Sequence, residues 1–287
     1  MAEYGLIEGG GTKFVLGVAD GAGAIRARER LPTTTPDETL GRAIAWFRAQ
    51  GLAPGAIGIA CFGPLQLDPQ APDFGHVTHT VKPHWNGADV IGPFRAAFGC
   101  PVGIETDVNG AALAESLWGA GQGRRSLLYV TVGTGVGGGF IADGTLLRGA
   151  SHPEMGHIRV PRHPGDRFAG DCAFHGDCLE GLVAGPAIRA RWGQPLSGLG
   201  AEEAEVVAWY LGQAIATWQA TLQPDRIVLG GGVMETTGLL ERVREAAAAA
   251  GGDYFAGDPR EIVVAPGLGA DSGLRGALAV AQRAAGR

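Results

Sequence analysis

The sequence predicts an α/β protein built as two related lobes around a shared cleft, and three observations predict it. Strand and helix patterns alternate along the chain. A strand, glycine turn, strand plan at residues 4–20 recurs at residues 127–148, which marks an internal duplication. The 287 residues, with no low-complexity linker among them, are enough for two lobes with a real core.

Composition narrows the class of function. Mean hydropathy is +0.09, and no apolar run is long enough to span a bilayer. MAEYGLIEGGG carries neither a basic leader nor a cleavage segment, so the cytoplasm is the expected compartment. A net charge of −6 argues against nucleic acid or an anionic membrane as partner. Four cysteines are too few for a disulfide scaffold, and Cys61 and Cys100 lie in apolar surroundings where free thiols are common. Lys13 and Lys82 are the only lysines, which makes the placing of Lys13 informative.

YGLIEGGGTKFVLGVAD reads as a strand, a glycine turn and a second strand, after which Asp20-Gly21 turns the chain. Gly9, Gly10 and Gly11 leave backbone N–H groups free to approach an anion, with Thr12 and Lys13 adding a hydroxyl and a cation. An ordinary hairpin with a glycine turn fits the segment equally. The second copy, LLYVTVGTGVGGGFIADGTLLR, changes the balance: laying Asp20 on Asp143 also puts Gly21 on Gly144, Gly10 on Gly133 and Ile7 on Val130. Gly133, Gly135 and Gly138 match a GxGxxG spacing, but a dinucleotide fingerprint has to open a helix, and GGFIADGTLL continues as strand.

Between the hairpins, residues 36–50 form a helix with Thr35 as N-cap, Pro36 in the first turn, Glu38 completing a capping box and Gly51 as the stop; Leu40, Ile44 and Phe47 are its buried stripe. IGIACFGPL is a buried strand that breaks at Gly63-Pro64, where a loop can face the cleft, making Gly63 a candidate substrate contact. Residues 66–89, with His76, His79, His84 and Trp85, read as a long rim loop whose histidines are solvated. In GIETDVNGAALAESLWGAG a strand ends and a helix begins, with Asp107 and Asn109 at the turn. A carboxylate there is held ionised by the helix dipole and can accept a proton from an alcohol; simple N-capping is the alternative.

His157, Cys172, His175 and Cys178 offer two nitrogens and two sulfurs within a short span, bracketed by Glu154 and Glu180. That donor set suits tetrahedral zinc in a closed, structural site. Free thiols beside surface histidines, or a Cys172–Cys178 disulfide, are the other readings. Further on come a helix over 202–222 with Val206, Leu211, Ile215 and Trp218 apolar, a strand RIVLGGGVM, a helix LLERVREAAAAA, a strand EIVVAPGLG and a closing helix. The strand-glycine-helix unit at 227–242, with Gly231 and Gly232, can seat an adenine or ribose or be a plain crossover turn. The lobes are expected at 1–112 with 271–287, and at 113–270 with the metal loop.

Taken together, GGGTK at 9–13, TDVN at 106–109, VGTGVGGG at 132–139, PEMGH at 153–157 and the cysteine loop through Glu180 resemble the ROK family of repressors, open reading frames and sugar kinases, most nearly its bacterial fructokinases. The likeness covers essentially the whole chain. It implies the two-lobed actin-like ATPase (ribonuclease H-like) fold and ATP-dependent transfer to the 6-hydroxyl of a hexose, fructose first, with glucose, mannose or an N-acylmannosamine as alternatives. It implies Asp107 as catalytic base, Gly10, Gly11, Thr12, Lys13, Gly133, Thr134 and Gly135 on the ATP phosphates, and Asn109, Glu154, His157 and Glu180 near the sugar. It also implies His157, Cys172, His175 and Cys178 as ligands of a structural Zn²⁺, and a homodimer. Glu8 stands where most members have aspartate, beside Mg²⁺. The loop reads CxxHxxC rather than the cysteine-richer pattern of many members, so Asp171 or water is an alternative to His175. A sugar-sensing repressor of the same family would carry a helix-turn-helix domain before the first hairpin, and the hairpin begins at residue 4. A regulator that has lost catalysis is at odds with the presence of both Asp107 and Lys13.

Overall fold

A computed structural model describes residues 3–252 and 254–286. The chain divides into two compact units, residues 1–114, 147–152 and 270–287, and residues 115–146 and 153–269. The short excursion Leu147–His152 belongs to the first unit, for which the sequence carried no sign.

The first unit opens with β1 (Glu3–Gly9), β2 (Lys13–Ala19) and β3 (Ile25–Pro32), followed by α1 (Pro36–Ala49), β4 (Pro54–Cys61), α2 (Gly92–Phe98) and β5 (Val102–Thr106), which leads into α3 (Asp107–Trp118). Its sheet runs β3-β2-β1-β4-β5, antiparallel across β1–β2 and β2–β3 and parallel across β1–β4 and β4–β5. Strand alternation sorts β4 into two faces. Ile57, Ile59 and Cys61 enter the core with Phe47 of α1 and Phe94 of α2. Gly58 points the other way, at the C-terminal helix, where an added Cβ would lie 1.9 Å from the Ala277 carbonyl oxygen. A residue larger than glycine there would push that helix off the sheet.

The second unit holds β6 (Ser126–Val132), β7 (Val136–Ala142), β8 (Thr145–Leu146), α4 (Leu179–Val183), α5 (Gly185–Trp192), α6 (Ala201–Leu222), β9 (Ile227–Gly230), α7 (Leu239–Gly251), α8 (Pro259–Ile262) and β10 (Val263–Val264); α9 (Ser272–Ala284) then returns to the first unit. Its sheet, β8-β7-β6-β9-β10, repeats the order and strand senses of the first. β1 and β6 even share one burial pattern along their seven residues. Among the described residues no helix is long and apolar enough to cross a membrane.

Several expectations need correction. Ile7 pairs with Leu16, whereas Val130 pairs with Gly138, so the first glycine turn is one residue longer and the ungapped match of the second strands slips by one. The Ala-Asp-Gly turns differ too. Asp143 and Gly144 make a two-residue turn with φ of 47° and 75°, while Asp20 caps a longer one by accepting from the N–H groups of Ala22 and Ala24. Thr35 occupies the N-cap of α1 without a side-chain cap bond, so the capping box is not made; Glu38 faces Arg42 at 3.7 Å instead. Leu40 and Phe47 are buried as expected, with Ala43 and Thr39, but Ile44 is only half-buried. Trp85 is not a rim residue: it is 0% exposed, in the core between Phe14 and Phe62. EIVVAPGLG contributes only the two residues of β10, because Pro259 starts a helical turn that Asp258 caps.

Candidate active site

Residues singled out for one chemistry fall in both units, and each set is built from its own elements. In the first unit the β1–β2 turn is closed by Gly10 N donating to Lys13 O at 2.9 Å. A Cβ on Gly10 would crowd that oxygen at 3.0 Å, whereas one on Gly11 would meet nothing within 4 Å. Thr12 and Lys13 are exposed at its end.

Asp107 is the first residue of α3, and capping is not its task. Thr106 Oγ1 accepts from Asn109 N at 3.2 Å, the bond an N-cap side chain makes, so the helix start is satisfied one residue earlier. Asp107 Oδ1 accepts from the next residue's N–H, Val108 N at 2.9 Å. Burial pushes the Asp107 carboxyl up to about 6, with the Glu8 charge adding to the rise against the bond from Val108. A carboxyl poised there is ionised at neutral pH and still basic enough to take a proton from a polarised hydroxyl. Glu8 is itself raised, first by burial and then by Asp271, while Lys13 and Arg30 pull it down. Its carboxylate rests over the first turn of α9: a Cβ on Gly273 would come within 2.3 Å of the carboxylate carbon. A cavity of about 460 Å³ opens beside it, lined by Glu8, Lys13, Arg28, Arg30, Asp271 and Leu274.

Asn109 is 1% exposed, and its Nδ2 donates to Glu105 Oε2 at 3.0 Å. Arg148 pairs with the other Glu105 oxygen and gives a second bond to Leu67 O at 3.2 Å. His152 accepts from Leu65 N at 3.1 Å, and its ring would stand 3.4 Å from a Cβ on Gly63. Sequence reasoning missed Glu105, Arg148 and His152. Glu105 had a signal, a carboxylate in an otherwise apolar strand end, but its partner lies 43 residues away.

In the second unit, the β6–β7 turn is held by Gly133 N donating to Gly135 O at 2.8 Å and by Gly185 N donating to Gly133 O at 2.7 Å. Thr134 is exposed at its tip. Glu180 Oε2 accepts from Val136 N at 2.9 Å and would sit 2.7 Å from a Cβ on Gly135, so Glu180 braces this turn. Gly231, at φ 92°, packs so closely that a Cβ would come 2.5 Å from Val132 O, and Gly232 N is 4.0 Å from the position of a Gly133 Cβ. Both glycine segments therefore lie side by side within this unit. Glu154 is exposed just before the single turn Met155–His157.

The four metal-ligand candidates converge: their donor atoms all lie within 4.8 Å of one another. His157 Nδ1 is 3.3 Å from His175 Nδ1, 3.5 Å from Cys178 Sγ and 3.7 Å from Cys172 Sγ, and Cys172 Sγ is 3.8 Å from His175 Nδ1. Ordinary zinc bond lengths set on a tetrahedron give edges of about 3.3 Å between nitrogens and about 3.5 Å between nitrogen and sulfur. The donors fit. Cys172 and Gly176 exchange two backbone bonds, which folds the loop back so that His175 faces His157, and the cysteines are free thiols rather than a disulfide. His175, not Asp171, completes the cluster.

Two sheets of one topology, each with a glycine turn between its first two strands, define the actin-like ATPase fold. The sequence model described as the ROK family matches residues 4–284. A fructokinase of Zymomonas mobilis is 50% identical, the match covering 97% of this chain and 96% of that one. A ROK hexokinase from Thermus thermophilus superimposes with a TM-score of 0.77 at 29% identity, over 98% of both chains. A ROK family glucokinase from Streptomyces griseus, solved with glucose and AMPPNP, gives 0.77 at 25% identity over 98% of this chain and 99% of that one. The chain belongs to the ROK family.

Proposed function

We propose that the protein is an ATP-dependent fructokinase that transfers the γ-phosphoryl group to the 6-hydroxyl of fructose. The observation that carries the reading is Asp107, a carboxylate at a helix start already capped by Thr106, poised near 6 by burial. The acceptor sugar rests on the fructokinase relatives, 50% identical in the case from Zymomonas mobilis. Asp107 takes the hydroxyl proton as the sugar oxygen bonds to the γ-phosphorus and the bond to the bridging oxygen breaks, releasing ADP. Phosphoryl transfer asks for positioning and charge neutralisation more than covalent help. The N–H groups of Gly11, Thr12, Thr134 and Gly135 and the Lys13 ammonium serve the phosphates, Gly10 and Gly133 shape the two turns that their own N–H groups close, and Gly231 and Gly232 leave room for adenosine. Gly63, Asn109, Glu154, His157 and Glu180 hold the sugar hydroxyls; Glu180 has its second oxygen for that task, since the first is spent on Val136.

Zn²⁺ would be held by His157, Cys172, His175 and Cys178, and with all four positions filled it orders the loop and takes no part in the reaction. Mg²⁺, arriving with ATP, would find in Glu8 an oxygen donor of the hard kind it takes, and when bound it neutralises phosphate charge. The reading extends to a cytoplasmic homodimer on the family resemblance. Release of ADP with fructose, glucose, mannose and N-acetylmannosamine as acceptors tests it. Fructose should be phosphorylated with the largest kcat/KM, and a preference for another sugar by tenfold or more would replace fructose as the substrate.

A further inference from the structure

The chain has two lysines, and both stand at the first glycine turn. Lys13 begins β2 and is exposed; Lys82, from the segment between β4 and α2, donates from Nζ to the Gly11 carbonyl oxygen. The flanking carbonyls are held as well. Thr33 Oγ1 donates to Gly10 O at 2.7 Å, and Thr33 N donates to Thr12 O at 3.0 Å. Three successive peptide oxygens are thus occupied by Thr33 and Lys82. In a planar trans peptide the N–H points opposite to the C=O. The N–H groups of Gly11 and Thr12 are consequently turned to the far side, and neither has an acceptor among the described residues. Successive N–H groups aimed one way make an anion-binding concavity.

Lys82 is not a loose surface side chain that happens to reach the turn. Three residues on, Trp85 is buried against Phe14, and its Nε1 donates to Thr34 O at 2.7 Å, which fastens this segment to the residue after Thr33. An ammonium on the Gly11 carbonyl also does more than a neutral donor: it polarises the Gly11–Thr12 peptide and makes its N–H a stronger donor.

We propose that Lys82 is a positioning residue for nucleotide phosphate, orienting the Gly11–Thr12 peptide while Thr33 orients the Gly10–Gly11 peptide, so that both N–H groups face the anion. The proposal rests on the kinase reading above and adds to it a residue outside the glycine motif. Its test is calorimetric titration of MgADP into the full chain and into Lys82→Met, Lys82→Arg and Thr33→Val, with fructose kinetics alongside. Lys82→Met should weaken MgADP about ten- to hundredfold, the loss of one charge-assisted hydrogen bond, while KM for fructose stays within about twofold. Lys82→Arg, which keeps a charged donor, should recover most of the affinity, and Thr33→Val should weaken MgADP in the same direction. The Gly11 and Thr12 amide resonances should shift with MgADP in the parent and not in Lys82→Met. If Lys82→Met binds MgADP as the parent does, the assignment fails and the kinase reading stands; if the parent itself does not bind MgADP, both fall. Should Lys82→Met not fold, unchanged affinity in Thr33→Val overturns the assignment on its own.

Discussion

The acid limb of catalysis tests the place given to Asp107. With its carboxyl at about 6 rather than the usual 3.8, the base is about nine-tenths ionised at pH 7 and about one-tenth ionised at pH 5. The kcat/KM for fructose should therefore fall about tenfold between pH 7 and pH 5, with a midpoint near 6; an unshifted carboxyl would lose almost nothing over that range. The same shift acts on stability with a definite sign. Between about pH 4 and pH 6 the folded chain keeps a proton that the unfolded chain has released, so stability falls as pH rises through that window and is level above it. A rise from 3.8 to about 6 corresponds to up to about 3 kcal/mol. Asp107→Asn removes the charge whose burial is costly. It should cut turnover by several orders of magnitude, leave fructose affinity within about tenfold, and raise Tm at pH 7.5 by a few degrees, a gain that disappears at pH 4. Initial rates by direct ADP quantification, and thermal melts from pH 4 to 8, supply both readouts. Near-normal turnover in Asp107→Asn, or an acid limb centred below about 4.5, would refute the reasoning.

Other substitutions follow from the same geometry. Gly273→Ala places a methyl against the Glu8 carboxylate, so Glu8 must move and its push on Asp107 weakens; the acid limb should shift downward by a few tenths of a pH unit with no loss of Tm, since alanine favours the helix. An unmoved limb would separate Glu8 from Asp107. Gly135→Ala crowds Glu180 Oε2 and should break its bond to Val136 N, costing about 1–2 kcal/mol and lowering kcat/KM; unchanged melts and kinetics would show that the brace does not matter. Protein purified without added zinc should carry about one zinc per chain, and Cys178→Ser should lose most of it and lower Tm by roughly 5 °C or more, checked by metal analysis. Full occupancy in that variant would put the ligands elsewhere.

Features written in adjacent residues were legible in the sequence. The glycine turns showed as glycines between alternating strands, and the His/Cys cluster showed because its members lie between His157 and Cys178. Features that depend on distant partners were not. Thr106 and Asp107 are equally good capping types by sequence, and only the bond from Asn109 N tells which one caps. Trp85 looked like a rim aromatic because the segment around it has no periodicity, yet the core takes its ring and Thr34 takes its N–H. Arg148 was one arginine among many until the chain path set it against Glu105. The slip between the duplicated strands was hidden by the one-residue difference in turn length, which a gap-free match absorbs without comment.

The doubled sheet plan has a consequence for how the protein divides labour. By register, the strand that leads into Asp107 corresponds to β10, and counting on from β10 puts Leu268 where the other copy presents Asp107. The insertions are as lopsided: one copy grows its long excursion after β4, the other its thiol-and-imidazole arm after β8. One sheet plan used twice has thus been elaborated differently in each half. On the kinase reading proposed above, exchanging Asp107 and Leu268 between the copies would preserve both sheets while taking the proposed base from its place.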